Sequence, residues 1–154
     1  MLTVLDLFCG AGGLSKGLEL AGFKILGGID FNSDAIKTHE LNFPESISIC
    51  EDMSKISDER ITNLFSDQID VIIGGPPCQG FSIANKWQRE SDDPRNKLFF
   101  EFIRFDEVLK PKAILIENVK GILSKDGGYA KQKIETIIGE LGYNISSSVL
   151  NAQD

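Results

Sequence analysis

The 154-residue chain carries 16 basic against 23 acidic side chains, a net charge of -7, and 42% of its residues are apolar. That size suits one domain with a hydrophobic core, and that composition argues against a disordered ground state. The acidic balance argues against this polypeptide alone gripping a polyanion, so much of any phosphate-binding surface should lie elsewhere.

Apolar runs alternate with stretches of helical period, the pattern of βαβ units. Residues 2–8 form a short, nearly continuous apolar run broken by Thr3 and Asp6, which reads as a strand. It ends in Gly10-Ala11-Gly12-Gly13, after which Leu14, Leu18 and Ala21 recur at helical spacing until Gly22. A second strand covers 23–29 and closes on Asp30; Ser33 is placed to cap a helix over 34–41, which Asn42 and Pro44 end. A third strand covers 46–50. Ser57 or Asp58 starts a helix carrying Ile61, Leu64 and Phe65, and the β-branched run 69–73 reads as a buried parallel strand.

Residues 74–97, with Gly74, Gly75, Pro76, Pro77, Gly80 and Pro94, show no clear element; so long a gap in a compact domain is usually functional or mobile. A helix is expected over 98–109, a fifth strand over 113–116, a loop over 121–128 and a helix over 129–141 stopped by Gly142. Residues 143–150 alternate imperfectly and read as a last strand. No repeat, linker or internal boundary divides residues 1–154. The expected fold is a doubly wound, mostly parallel α/β domain of strand order 3-2-1-4-5, with ligands at the carboxyl ends of its strands.

Three cysteines in unrelated contexts (Cys9, Cys50, Cys78) make neither a disulfide framework nor a zinc set, so a reducing compartment and no metal are expected. No run reaches about 18 apolar residues, and the opening residues lack a basic leader, so neither a membrane span nor a signal peptide is expected.

A strand, then Gly10-x-Gly12-Gly13, then a helix lets a ligand approach backbone amides at a helix start. The third glycine of the dinucleotide pattern is replaced by Ser15, and the Lys-Ser/Thr of a phosphate loop is missing, so a cofactor without pyrophosphate fits better. Asp30 stands 20 residues beyond Gly10, where a carboxylate can take ribose hydroxyls, and Asp52 after the third strand could accept from an adenine amino group. The alternative is that the glycines make a plain tight turn and both aspartates cap helices.

Cys78 follows two prolines that stiffen the backbone presenting it, and a thiol exposed beside amide donors would act as a nucleophile. A small buried hydrophobe is the other reading of any cysteine, and is preferred for Cys9 and Cys50. Glu117 directly follows the fifth strand, where partial burial would suit it to donate a proton; a cap is the alternative. His39, the sole histidine, reads as a surface residue of the second helix.

Taken in order, these segments resemble the DNA cytosine-5 methyltransferase family over essentially the whole chain. Asp6-Leu7-Phe8-Cys9-Gly10-Ala11-Gly12-Gly13 is similar to the family's first motif, and the resemblance implies S-adenosylmethionine, with Phe8 near the adenine and Gly10, Gly12 and Gly13 around its methionine part. It also implies that Asp30 takes the ribose hydroxyls, with Phe31 and the pair Asp52-Met53 at the adenine. Gly75-Pro76-Pro77-Cys78-Gln79-Gly80-Phe81-Ser82 resembles the catalytic loop, with Pro76 facing the cofactor and Gln79 and Ser82 the substrate. Arg95, Leu98 and Phe99 resemble the next motif, whose leucine lines the cofactor site. Glu117-Asn118-Val119 resembles the motif that contacts the target cytosine, and Asn151-Ala152-Gln153-Asp154 resembles the opening of a further one.

The implied chemistry is methyl transfer to C5 of a cytosine flipped out of double-stranded DNA, through a covalent bond between Cys78 and C6 while Glu117 protonates N3. The resemblance further implies a target-recognition domain beyond residue 154 or on a second chain, without which this polypeptide would be inactive. A cytoplasmic bacterial restriction-modification setting goes with it. A transfer RNA cytosine-5 methyltransferase and a non-catalytic cofactor-binding or regulatory piece are the alternatives.

Overall fold

A computed structural model describes residues 1–65, 69–77 and 96–151. These form a five-stranded parallel sheet of order β3-β2-β1-β4-β5, built from β1 (Thr3–Leu7), β2 (Lys24–Asp30), β3 (Ile47–Cys50), β4 (Val71–Gly74) and β5 (Ala113–Ile116). The expected strand order is therefore the observed one. Helices α1 (Gly13–Leu20), α2 (Ser33–Asn42), α3 (Asp58–Phe65), α4 (Lys97–Leu109) and α5 (Tyr129–Glu140) connect or follow the strands.

Alternation along β1 shows how one strand feeds two layers. Leu5 and Leu7 face the larger core with Ile61 and Phe65 of α3, Phe99, Phe102 and Phe105 of α4, and Ala130 and Ile138 of α5. Val4 joins Ile25, Val71, Ile73 and Phe43 on the other face, against Leu14 and Leu18 of α1. The central strands are covered on both sides, which is why their sequences read as nearly unbroken apolar runs. Two adjacent glycines of β2 make room on opposite faces. A Cβ at Gly27 would lie 2.8 Å from the Phe65 ring, and one at Gly28 only 2.4 Å from His39 Nε2.

Several expectations are corrected. Asn32, not Ser33, caps α2, its side chain accepting from the amides of Asp34 and Ala35; Ser33 already lies in the helix. His39 is fully buried rather than on the surface, because the inner face of α2 packs on β2 and β3. Cys50 is exposed rather than buried, since β3 is the sheet edge and only its Ile49 is buried. Residues 143–150 form no strand: Ser146, Ser147 and Ser148 interrupt the apolar alternation, and Ile145, Val149 and Leu150 are exposed. The phenol of Tyr143 instead anchors the start of this stretch, its single O–H shared between Asp106 Oδ1 at 2.6 Å and the Pro111 carbonyl at 3.0 Å. The loop expected over 121–128 contains two short 3-10 turns, Lys120–Leu123 and Lys125–Gly128.

Candidate active site

Because all five strands run parallel, the segments leaving β1, β2, β3, β4 and β5 emerge on one edge of the sheet. The turn after β1 is the most constrained of them. Phe8, Gly10 and Gly12 all have positive φ, of 60°, 54° and 92°, and a side chain at Phe8 in that region marks a backbone held by its surroundings. The Cys9 amide donates to the Ile29 carbonyl at 3.1 Å, and the Gly12 amide to the Cys9 carbonyl at 2.9 Å. Cys9 itself is buried, as expected of a small hydrophobe, and burial pushes its thiol well above the ordinary range.

Asp30 ends β2 and ties this turn to the next. One carboxylate oxygen accepts from the Gly10 amide at 2.9 Å, the other from the Asn32 amide at 2.9 Å. It is thus a loop organiser rather than a helix cap, and each oxygen retains capacity for a second donor. Phe31 beside it is 75% exposed. Asp52 does act as a cap: Oδ1 accepts from the amide and hydroxyl of Ser54, and those bonds hold its carboxyl below the usual range. Met53 is buried in the larger core, so of that pair only Asp52 keeps a partly open side chain.

Gly75, Pro76 and Pro77 leave β4 beside the end of β5. The Glu117 amide donates to the Gly74 carbonyl at 2.9 Å, and a Cβ on Gly75 would lie 3.0 Å from Glu117 Oε2. Asn118 Nδ2 donates to the Pro76 carbonyl at 3.1 Å. Glu117 is exposed rather than partly buried as expected, because β5 is an edge strand whose residues are themselves only half-covered or exposed. Leu98 is half-buried in the first turn of α4. Cys78, Gln79, Ser82 and Arg95 lie outside the described residues.

Four supporting residues were given no role in the site by the sequence, although Asp6 opens the first motif. Asp6, on the α1 face of β1, is buried and accepts from Ser15 Oγ at 2.6 Å; burial pushes its carboxyl up to about 6 against the lowering effect of Ser15. Asn42 Nδ2 donates to the Ala11 carbonyl at 3.0 Å. His39 packs between the glycine turn and β2. Arg104 of α4 donates to the Met53 carbonyl at 2.8 Å and pairs with Glu101 and Asp58, bracing the turn after Asp52. A polar residue at an inward position of an apolar run was the available signal for Asp6.

Fit to an adenosyl cofactor can be judged from the geometry. Beside Gly10 and Gly13 an added Cβ would meet nothing within 4 Å, so their backbone is open to a ligand. A carboxylate with accepting capacity stands next to that opening at the end of β2. The residues fit an adenosine carrying an uncharged or cationic tail better than one carrying phosphates.

Fold and site together define a methyltransferase-type doubly wound α/β domain. The chain belongs to the C-5 cytosine-specific DNA methylase family, whose model matches residues 2–154. It is 40% identical to the Type II methyltransferase M1.HphI of Haemophilus parahaemolyticus over 99% of its own length and 42% of the relative's. It is 38% identical to the Type II methyltransferase M.AgeI of Thalassovita gelatinovora, covering 98% of itself and 35% of that protein. Among solved structures, an Escherichia coli prophage-encoded chain described as a DNA modification methyltransferase matches with TM-score 0.72 and 40% identity, over 91% of this chain and 38% of that one. Schizosaccharomyces pombe Dnmt2 methyltransferase matches with TM-score 0.69 and 26% identity, over 94% and 43%. The chain therefore spans about two fifths of the length of the relatives it matches.

Proposed function

We propose that this chain supplies the cofactor-binding and catalytic part of an enzyme that methylates C5 of cytosine in double-stranded DNA. The observation that carries the reading is the joining of two strand ends: Asn118 holds Pro76 and Glu117 packs beside Gly75, directly ahead of Cys78 in the chain. The Glu117 carboxyl thereby stands at the same edge of the sheet as Gly75 and Pro76, the residues that lead toward Cys78 in sequence.

S-adenosylmethionine, when bound, supplies an electrophilic methyl group. Asp30 would hold its ribose hydroxyls, Phe8 and Phe31 its adenine faces, Asp52 its adenine amino group, and the backbone of Gly10, Gly12 and Gly13 its methionine part. Pro76 and Leu98 would close the pocket. Gln79, Ser82 and Asn118 belong to the substrate side. On a flipped-out cytosine, the Cys78 thiolate bonds to C6 and Glu117 gives its proton to N3, which places electron density on C5. Once C5 carries the methyl group, loss of the C5 proton to a base, cleavage of the C6–S bond with return of the thiolate, and return of the N3 proton to Glu117 would restore the ring and the enzyme.

The net charge of -7 supports a division of labour in which another segment or chain binds DNA phosphate and reads the target bases. The bacterial Type II methyltransferases among the relatives support a restriction-modification setting in a bacterial cytoplasm. They also favour DNA over transfer RNA as the substrate.

The test is tritiated methyl transfer to duplex DNA and to transfer RNA, by the chain alone and after addition of the polypeptide encoded immediately downstream. Transfer to duplex DNA that appears only on mixing, and that Cys78→Ala abolishes, is the expected result. Transfer by Cys78→Ala at a near-normal rate would overturn the mechanism. Cofactor binding without turnover in the completed assembly would favour a regulatory role.

A further inference from the structure

Helix α2 grips the glycine turn at both of its ends. At the amino end, Asp30 links the Gly10 amide to the Asn32 cap. At the carboxyl end, Asn42 Nδ2 reaches a carbonyl 31 residues earlier in the chain, that of Ala11, at 3.0 Å. Between these ties the rings of Phe43 and His39 fill the space over Gly12, where a Cβ would meet Phe43 at 2.4 Å and His39 at 3.1 Å. Gly12 thus keeps its positive φ for two reasons, the turn itself and the aromatic wedge pressed against it.

The wedge is electrically quiet. His39 Nδ1 lies 2.8 Å from Ser48 Oγ, and Nε2 has no hydrogen-bond partner among the described residues. Gly28 of β2, the Cys9 thiol of the glycine turn, Ser48 of β3 and Phe43 beyond the helix surround it, and among the described residues Glu40 of its own helix is the charged group that acts on it. Burial lowers the affinity of this imidazole for a proton, against the opposing pull of Glu40, and so favours its neutral form. Within this arrangement Asn42 is the one tie to the turn made by an exposed side chain of α2. A bond at an exposed site adds little to global stability, yet this one fixes the Ala11 carbonyl between two glycines whose own backbone is permissive.

We propose that Asn42 is a positioning residue for the cofactor: by holding the Ala11 carbonyl it keeps the glycine turn in the shape that receives the methionine part of the ligand. This rests on the cofactor reading given above. Replacing Asn42 by Ala removes the donor, whereas Asn42→Asp sets a carboxylate oxygen against the carbonyl oxygen and repels it. A purely structural cap would not distinguish these two by ligand affinity.

Calorimetric titration of the 154-residue chain with S-adenosylhomocysteine tests this, alongside amide hydrogen exchange of the unliganded chain. Asn42→Ala should weaken binding about fivefold, the worth of one net hydrogen bond. Asn42→Asp should weaken it further, while both variants melt close to the wild type. Exchange at Gly10 and Gly12 should speed up while Val71–Gly74 stays protected. Wild-type affinity in both variants, or exchange that rises evenly across the sheet, would overturn the proposal. If the wild-type chain binds no S-adenosylhomocysteine, the titration is repeated in the assembly completed by the downstream polypeptide, and absence of binding there removes the cofactor reading. The exchange data then still decide on Asn42, since unchanged protection at Gly10 and Gly12 in Asn42→Ala would remove its role.

Discussion

The side-chain amide of Asn118 donates to the backbone carbonyl of Pro76, at 3.1 Å, and so ties the end of β5 to the segment that runs into Cys78. An asparagine expected to touch substrate thus spends one donor on the protein itself. Its oxygen is also engaged, accepting from the Val119 amide at 3.0 Å.

Asn118→Ala should therefore misplace the cysteine-bearing segment more than it destabilises the fold. In a completed, active assembly the single-turnover rate of methyl transfer should drop roughly five- to tenfold, the effect of about 1 kcal/mol on a barrier. The affinity for S-adenosylhomocysteine should change little. A wild-type rate would show that the Pro76 tie has no part in positioning.

Asp6 predicts a pH dependence of stability. Folding raises its carboxyl from 3.8 to about 6, because burial outweighs the bond from Ser15. The fold therefore prefers the neutral form: the contribution is complete below 3.8 and is lost as pH rises through about 6. The loss corresponds to about 3 kcal/mol at most. Urea unfolding between pH 4.5 and 8 should show this decline, and Asp6→Asn should flatten it. Parallel curves for the two proteins would exclude Asp6 as its source.

Gly28→Ala should be strongly destabilising, since its new methyl would meet His39 Nε2 at 2.4 Å and the Cys9 sulfur at 3.0 Å inside the core. A cost of about 1–3 kcal/mol is expected for such overpacking. Shortening the neighbour relieves the clash, so Gly28→Ala combined with His39→Ala should lie closer to His39→Ala alone than additivity allows. Additive denaturation midpoints would mean that the two sites do not share this space.

Arg104→Met keeps an aliphatic stem but removes the guanidinium, with its bonds to the Met53 carbonyl, Glu101 and Asp58 and its place over the Phe105 ring. The bonds to the Met53 carbonyl and to the more buried Glu101 are worth about 1.5–3 kcal/mol each, whereas the pair with Asp58, whose side chain is 65% exposed, adds little. The variant should melt lower and exchange faster at Ser54 and Lys55, with β1 amides unaffected relative to global stability. Unchanged exchange at that turn would argue that Asp52 alone holds it.

Strands were legible where burial on both faces leaves no choice of residue, as in Val71, Ile72 and Ile73, and helices where Leu14 and Leu18 or Phe99, Phe102 and Phe105 keep one face apolar. The strand order and the membership of the family were readable from that alternation and from the motifs together. What escaped was decided by partners distant in the chain. Nothing local distinguishes a surface histidine from His39, whose burial depends on the space left by Gly28 and Gly12. Asn32 and Ser33 are both good caps, and Asn32 is the one whose amide also reaches Asp30. Cys50 looked like a core residue because its exposure is a property of edge position, which only the sheet order reveals. The stretch from Tyr143 onward kept enough alternation to resemble a strand, but a strand exists only when a neighbour accepts its hydrogen bonds.

The position of β1 has a consequence for how the protein is made. Val4 pairs with Ile25 on one side and with Val71 on the other, so the earliest of these five strands in the chain sits at the middle of the sheet. As the chain leaves the ribosome, β1 can join β2 early but must wait with its second edge bare until β4 has emerged. In that interval the apolar face shared by Leu5 and Leu7 lacks its α4 cover, Phe99, Phe102 and Phe105 being later still in the chain. The nascent polypeptide thus passes through a stage with an open, greasy half-sheet, and a chaperone that recognises such surfaces would find its moment between the translation of β2 and that of α4.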